Sequence, residues 1–190
     1  MSNEIAKSVD TVAAGLVAKT QNQSFARAGG IYFFECIGAD GQVKWTGKSH
    51  NLVVNEGLQN MVAAYLDAAT QTTTWYLGLV TGPGSGTTIA AADTLASHAG
   101  WTEFSNYSGN RKAATFGTAT TADPSVISTS STSFSISGAG GTVAGAFLAS
   151  VATGTSGILF SASDFQSPGD RAVVSGDTLN VTYTFSLDAT

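Results

Sequence analysis

The sequence predicts a mainly β protein: an antiparallel β-sandwich or jelly-roll-like barrel with one packed α-helix and an N-terminal arm. Apolar and polar residues alternate strictly from Leu179 to Leu187, as in a strand with one buried face. Several other short segments are rich in β-branched and aromatic residues and are separated by turn signals. A chain of 190 residues suits one domain. We therefore predict an arm over residues 1–30 and a single β-rich domain over residues 31–190.

The predicted arm carries a narrow apolar stripe. Its four members, which recur at helical spacing, are Ile5, Val9, Val12 and Leu16. Gly29 and Gly30 interrupt the pattern before the domain begins. An isolated helix of this length is marginal in water. The arm is therefore either a frayed tail or an element that orders when these four residues dock on a partner.

The domain is predicted to open with a hairpin followed by the chain's clearest helix. Residues 31–37 and 42–46 form the hairpin, joined by an Asp-Gly turn. Asn55 suits an N-cap and Glu56 suits the first turn of the helix. We expect this helix to pack on the sheet through a stripe made of Leu58, Met61, Val62, Tyr65 and Leu66.

The rest of the domain is predicted to consist of short strands and loops. Strands are predicted over residues 74–80, 112–120, 126–137, 142–151, 157–161 and 178–187. The polar segment 102–111 is typical of an exposed loop. We predict a surface aromatic site there, formed by Trp101, Phe104 and Tyr107.

No constellation of residues with catalytic or metal-binding spacing is recognisable. His50 and His98 have no further ligand nearby in sequence, so a zinc site would need them to converge with Cys36 and a carboxylate. Ser85 has Pro83 two residues before it, which departs from the nucleophile elbow of hydrolases. We therefore predict a protein that is not an enzyme and has no metal or cofactor.

Two residues of the first predicted strand have structural interpretations. Cys36 is the single cysteine, so an intramolecular disulfide is impossible, and we expect a buried small side chain. Glu35 lies in an apolar run and is expected to pair across the hairpin with Lys44.

Charge is scarce, at 11% of residues with a net charge of −5. Only eight Lys and Arg residues are present, too few for extensive phosphate contact, so nucleic-acid binding is not expected. No apolar run approaches the ~18 residues of a membrane span. The N-terminus lacks the features of a secretory signal, so we expect synthesis in the cytoplasm. A surface with so little charge is either neutral and polar or lies against a partner.

Four segments resemble those of the small virion structural proteins of tailed bacteriophages. They are the string Asn-Leu-Val-Val-Asn-Glu-Gly-Leu at 51–58, Thr-Trp-Tyr-Leu-Gly-Leu at 74–79, Ala-Gly-Ala-Phe-Leu at 144–148 and Gly-Asp-Thr-Leu-Asn-Val-Thr-Tyr-Thr-Phe at 176–185. The likeness covers about residues 43–187 and leaves the arm unmatched. It carries no catalytic residues across.

This resemblance implies a component of a virus particle, made in the bacterial cytoplasm and located in the virion. The leading expectation is a capsid decoration (cement) protein that binds the major capsid protein, or another virion protein, as a homo-oligomer on the particle. The stripe of the arm would then dock on the capsid. The alternative is a tail or tail-fibre component whose β-module binds a carbohydrate or receptor through Trp101, Phe104 and Tyr107.

Overall fold

The computed structural model describes residues 26–82, 87–166 and 169–189. Over these residues the chain is mainly β, with a single α-helix, which confirms the predicted fold class. The elements, in chain order, are β1 (Ala26–Ile37), β2 (Val43–Val53), α1 (Asn55–Leu66), β3 (Trp75–Thr81), β4 (Thr102–Phe104), β5 (Lys112–Ala114), β6 (Ser125–Ser128), β7 (Thr132–Ser135), β8 (Gly141–Val143), β9 (Gly145–Ala149), β10 (Leu159–Ser163), β11 (Arg171–Val173) and β12 (Thr178–Ala189).

Ten of the strands form one antiparallel sheet that curls around the core. Its order is β4-β3-β9-β10-β2-β1-β12-β6, with β5 beside β3 and β7 beside β12. The Gly117 N–H donates to the Ser128 carbonyl at 2.9 Å, and the Ser130 N–H donates to the Thr115 carbonyl at 2.8 Å. These bonds join the segment after β5 to the region of β6 and β7. The two ends of the sheet therefore approach each other, as in a barrel.

The hairpin of β1 and β2 was predicted correctly, but the boundary of the arm was not. Gly41 has φ 77° and completes the turn, a conformation that suits glycine. Strand β1 begins at Ala26, and its first residues pair with the end of β12 as far as Ala189. The predicted boundary between residues 30 and 31 therefore falls inside β1. Residues 26–30 belong to the sheet rather than to an arm.

The core lies inside the curled sheet and continues on the outer side of its central strands. Leu179, Val181 and Tyr183 are fully buried, as the alternation in β12 predicts. Every residue of β9 and β10 is buried, so these two strands are covered on both faces. The segment 88–101 contributes Leu95 and Trp101 to the cover on the outer side, where they pack in one cluster with Phe147.

Helix α1 packs on the sheet, but the predicted orientation of its apolar stripe is wrong. Leu58 is 41% exposed, Val62 58%, Tyr65 81% and Leu66 83%. Met61 alone among the five predicted residues packs against the core. Gly57 is the buried residue of the helix, so a different side of α1 meets the sheet.

The first turn of α1 explains this orientation. A Cβ atom at Gly57 would lie 2.2 Å from the carbonyl oxygen of Phe160, so the helix backbone rests directly on β10. The Leu159 N–H donates to the Glu56 carboxylate at 2.8 Å, and the Val54 N–H donates to the Phe160 carbonyl at 3.1 Å. Val54 takes the N-cap position that Asn55 was expected to fill. The hydrogen bonds of Glu56 and Val54 and the close approach of Gly57 thus determine which face of α1 meets the sheet. That face is not the one that the spacing of apolar residues predicts.

Candidate binding groove

An apolar groove lies between α1 and the edge of the sheet at β12 and β6. Two adjoining cavities, of about 440 and 340 Å³, form it. The residues that line both cavities are Gln71, Thr72, Trp75, Ile127, Phe160 and Phe185. We call this feature the groove. Its size is within the usual range for a binding site.

The apolar face of β12 extends beyond the core and lines the groove. Phe185 and Leu187 continue the alternation that buries Tyr183, so they lie on the same face of the strand. Ile127 of β6 pairs with Phe185 in register. Yet Leu187 is 38% exposed, whereas the same face is fully buried nearer the start of β12. The described residues therefore leave this end of the face uncovered.

Aromatic rings form the wall of the groove. Phe160 contacts Trp75 at 5.2 Å and Phe185 at 5.6 Å between ring centroids, both edge to face. None of the described residues that line the two cavities carries a charge. The polar groups available there are amides and hydroxyls, such as those of Asn60 and Ser125. The groove is therefore suited to an uncharged apolar occupant.

Below the groove, two stacked tyrosines belong to a buried hydrogen-bond network. The rings of Tyr32 and Tyr183 lie 4.4 Å apart. The Tyr32 hydroxyl bonds to Ser161 Oγ at 2.8 Å, and Asn51 Nδ2 donates to the Tyr183 hydroxyl at 2.8 Å. Burial raises the pKa of both tyrosines well above the ordinary value. The two hydroxyls therefore stay protonated and hold the strands together.

The predicted surface aromatic site is wrong, because all three of its residues are buried. Trp101, Phe104 and Tyr107 are 2%, 4% and 6% exposed. Trp101 Nε1 donates to Asp93 at 3.0 Å, and its ring packs against Phe147 at 5.2 Å. These contacts cover the outer face of β9, so the indole is part of the core.

Phe104 and Tyr107 are buried by contacts with other strands. Phe104 belongs to β4, where it pairs with Leu79, and the segment predicted as a loop therefore contains a strand. The ring of Tyr107 packs against Phe134 at 4.9 Å. Nearby, Arg111 makes a bidentate ion pair with Glu103, at 2.9 and 2.7 Å, and closes this side of the sheet.

The arm stripe of Ile5, Val9, Val12 and Leu16 lies outside the described residues, as does Ser85. The docking of the arm on a partner stays a prediction. It describes the surface of the domain that begins at Ala26.

The histidines and the cysteine have separate local surroundings. His98 stacks on Trp101 at 3.8 Å, and its Nδ1 bonds to the Trp101 carbonyl. His50 lies in β2. Cys36 is buried, as expected, and burial is the main cause that raises its pKa to about 11. Within residues 26–82, 87–166 and 169–189, no three His, Cys, Asp or Glu side chains are grouped so that they could hold a metal ion.

The expected pair of Glu35 and Lys44 does not form. Lys44 Nζ instead donates to Asp177 at 2.7 Å, and Asn180 donates to the Glu35 carboxylate at 3.3 Å. Asp177 also accepts bonds from the Val174 N–H at 2.9 Å and from the Cys36 thiol at 3.7 Å. Burial alone would raise the pKa of Asp177, but these hydrogen bonds and the Lys44 charge lower it below the ordinary value.

A smaller polar cavity of about 300 Å³ lies on the other side of β2 and β10. Asn51, Thr87 and Asp164 line it, and each has a buried oxygen without a hydrogen-bond partner among the described residues. Burial, and then the charge of Asp170, raises the pKa of Asp164 to about 6. Asp164 is therefore a carboxyl group whose ionised form the fold disfavours.

Fold and site together define a mainly β protein with an apolar groove between its helix and its sheet. Comparison of the chain with models of known families, with curated proteins and with solved structures finds no match. Among the described residues, no helix has the length and apolar character needed to cross a membrane.

Proposed function

We propose that the protein is a non-enzymatic structural protein of a tailed-bacteriophage virion, and that it decorates and stabilises the head shell. Its partner is then the major capsid protein, or another virion protein, and the subunits form a homo-oligomer on the particle. The observation that carries this proposal is the outward-facing apolar surface of α1. The sequence resemblance described above supplies the particle in which such a surface would act.

The exposed surface of α1 has the character of an interface. Leu58, Val62, Tyr65 and Leu66 are between 41% and 83% exposed and lie within three turns of one helix. Single exposed apolar residues are ordinary, whereas a contiguous apolar patch marks an interaction site. Each copy would bury a modest area on the shell. Repetition over many sites would make such contacts effective through avidity.

The scarcity of charge supports the same function. A monomer that stays free in solution normally relies on charged groups for solubility, and only 11% of residues here are charged. The two cavities of the groove have no charged lining residue among the described residues. A subunit that acts by binding other proteins needs neither a highly charged surface nor charged residues in the groove.

The direct test is the composition of purified particles. We expect mass spectrometry to find the chain in virions of the phage that encodes it, and cryo-electron microscopy to locate it on the outside of the head. Its absence from virions would contradict the proposal. Its recovery with separated tails would contradict the decoration function and favour the alternative tail component.

A matched pair of variants tests the surface of α1. Val62 and Val43 are similarly exposed, at 58% and 55%, but Val43 lies in β2. We expect Val62→Asp to abolish binding to heads that lack the protein, because a carboxylate would be buried at the contact. Val43→Asp should bind as the unmodified chain does. Equal binding by the two variants would show that α1 is not the contact surface.

A further inference from the structure

The described residues leave part of the apolar face of β12 exposed. Tyr183 is fully buried, whereas Leu187, two alternations further along the same face, is 38% exposed. The groove beside it has an aromatic wall and no charged lining residue in the described chain. An uncovered apolar groove of this kind costs free energy in water. It therefore favours an apolar occupant.

The chain itself carries a segment with matching chemistry. Residues 1–25 precede β1, and their apolar stripe of Ile5, Val9, Val12 and Leu16 contains no charged member. At helical spacing the stripe is about 16 Å long, from 1.5 Å per residue. One helical face of Ile, Val and Leu is what a groove between a helix and a sheet accommodates.

The place where β1 begins brings this segment close to the groove. Ala28 pairs with Leu187 in β12, and Leu187 lines the groove and pairs with Ser125 of β6. Residues 17–25, fully extended, span up to about 30 Å, which is ample to lead from the stripe to Ala26. A segment tethered this close has a high effective concentration at the groove, so even weak apolar contacts would hold it there.

We propose that residues 5–16 bind in the groove of their own chain, with the apolar stripe packed against Phe185, Leu187 and the aromatic wall. This inference differs from the docking of the arm on a partner that the sequence suggests. It does not depend on the proposed function, since it concerns the free subunit. The segment completes the hydrophobic core at the open end of β12. Leu58, Val62 and Leu66 of α1, which do not line the groove, remain available for a partner.

A thiol reporter in the full-length chain tests this proposal. Leu187→Cys places an accessible thiol in the groove, while the buried Cys36 provides the background, measured in the chain without the new thiol. Labelling with a small maleimide should be slow while the segment covers position 187. Adding Val9→Asp and Val12→Asp should raise the labelling rate by roughly ten-fold or more, equivalent to 1.4 kcal/mol, because carboxylates resist burial in an apolar groove.

The control places the same two charges on the opposite face of the segment, with Thr11→Asp and Ala14→Asp. It should label as slowly as the Leu187→Cys chain alone. Equal labelling rates for the stripe and control variants would overturn the proposal. Protection that appears only as the protein concentration rises, together with a larger mass by light scattering, would also overturn it, because the occupant would then be a second copy.

Discussion

The two ends of β12 have the same sequence pattern and opposite surroundings. At the first end, Leu179 pairs with Cys36 and with Phe134, and all three side chains are fully buried. At the other end, Leu187 pairs with Ala28 and Ser125 and remains 38% exposed. The burial of Leu179 and Leu187 differs because other parts of the fold cover the first end of β12 and not the second. Alternation specifies which side of a strand is apolar, and the rest of the fold decides whether that side is covered.

The largest effect should come from shortening the same side chain at the two ends of β12. Leu179→Ala leaves a cavity in a closed core and should lower the free energy of unfolding by about 2–5 kcal/mol. Leu187→Ala removes a side chain that the described residues leave 38% exposed, so even with residues 5–16 packed against it the loss should be smaller, at about 1–2 kcal/mol. Urea denaturation of the two variants measures the difference. Equal losses would contradict the distinction between a closed and an open end.

A second pair of substitutions compares carboxylates at the two ends. Asp177 precedes β12 and accepts bonds from Lys44 and the Val174 N–H, whereas no partner of Asp188 is seen among the described residues. Asp177→Asn should lower the free energy of unfolding by about 1–2 kcal/mol. Asp188→Asn should change it by less than about 0.5 kcal/mol.

The lowered pKa of Asp177 gives this effect a pH dependence of known sign. The ionised form is favoured in the folded state, so its contribution is present above the unfolded pKa of about 3.9. It is lost as the pH falls below that value through the folded pKa. Denaturation curves of the unmodified chain and Asp177→Asn should therefore converge in acid. A constant difference between them at all pH values would contradict the assignment.

Asp164 should show the opposite sign, because its pKa is raised to about 6 in the folded chain. The folded state then holds a proton that the unfolded state has released, so the contribution to stability falls as the pH rises from about 4 to about 6. Asp164→Asn should remove this fall and stabilise the protein at neutral pH. Titration of Asp164 by NMR provides the direct measurement. An ordinary carboxyl pKa at this position would rule the effect out.

The smallest effect on stability is expected at the outer surface of α1, which resembles the open end of β12 in being apolar and uncovered. Val62 is 58% exposed, so Val62→Ser should change the free energy of unfolding by less than about 0.5 kcal/mol. Thermal denaturation checks this. A large loss would mean that this surface is covered in the folded chain, and α1 would then belong with the closed core.

Local patterns in the sequence were sufficient for the β character, the first hairpin and the buried face of β12. The orientation of α1 could not be predicted in this way, because the contact of Gly57 with the Phe160 backbone joins elements far apart in sequence. The stripe from Leu58 to Leu66 has the spacing of a core-facing helix, and nevertheless all of its members except Met61 are exposed. Gly57 in the first turn was the signal in the sequence for a close approach of the helix to a strand.

The candidate site was harder to predict than the fold. Trp101, Phe104 and Tyr107 lie in a polar stretch, and only tertiary contacts bury them: Trp101 packs with Phe147, whereas Phe104 and Tyr107 join the main core cluster. The groove was missed because Trp75, Phe160 and Phe185 come from three separate strands. The continuation of the β12 alternation through Phe185 and Leu187 was the available indication of an additional apolar surface.

The pairing of β1 with β12 has a consequence for how the protein is made. These strands are the first and last elements of the described domain, and their register runs from Ala26–Ala189 to Ile37–Thr178. Until β12 has been synthesised, β1 has one open edge and the interior lacks Leu179, Val181 and Tyr183. Non-local pairing of this kind slows folding and leaves unpaired edges exposed. The domain can therefore complete its sheet only after β12 has left the ribosome.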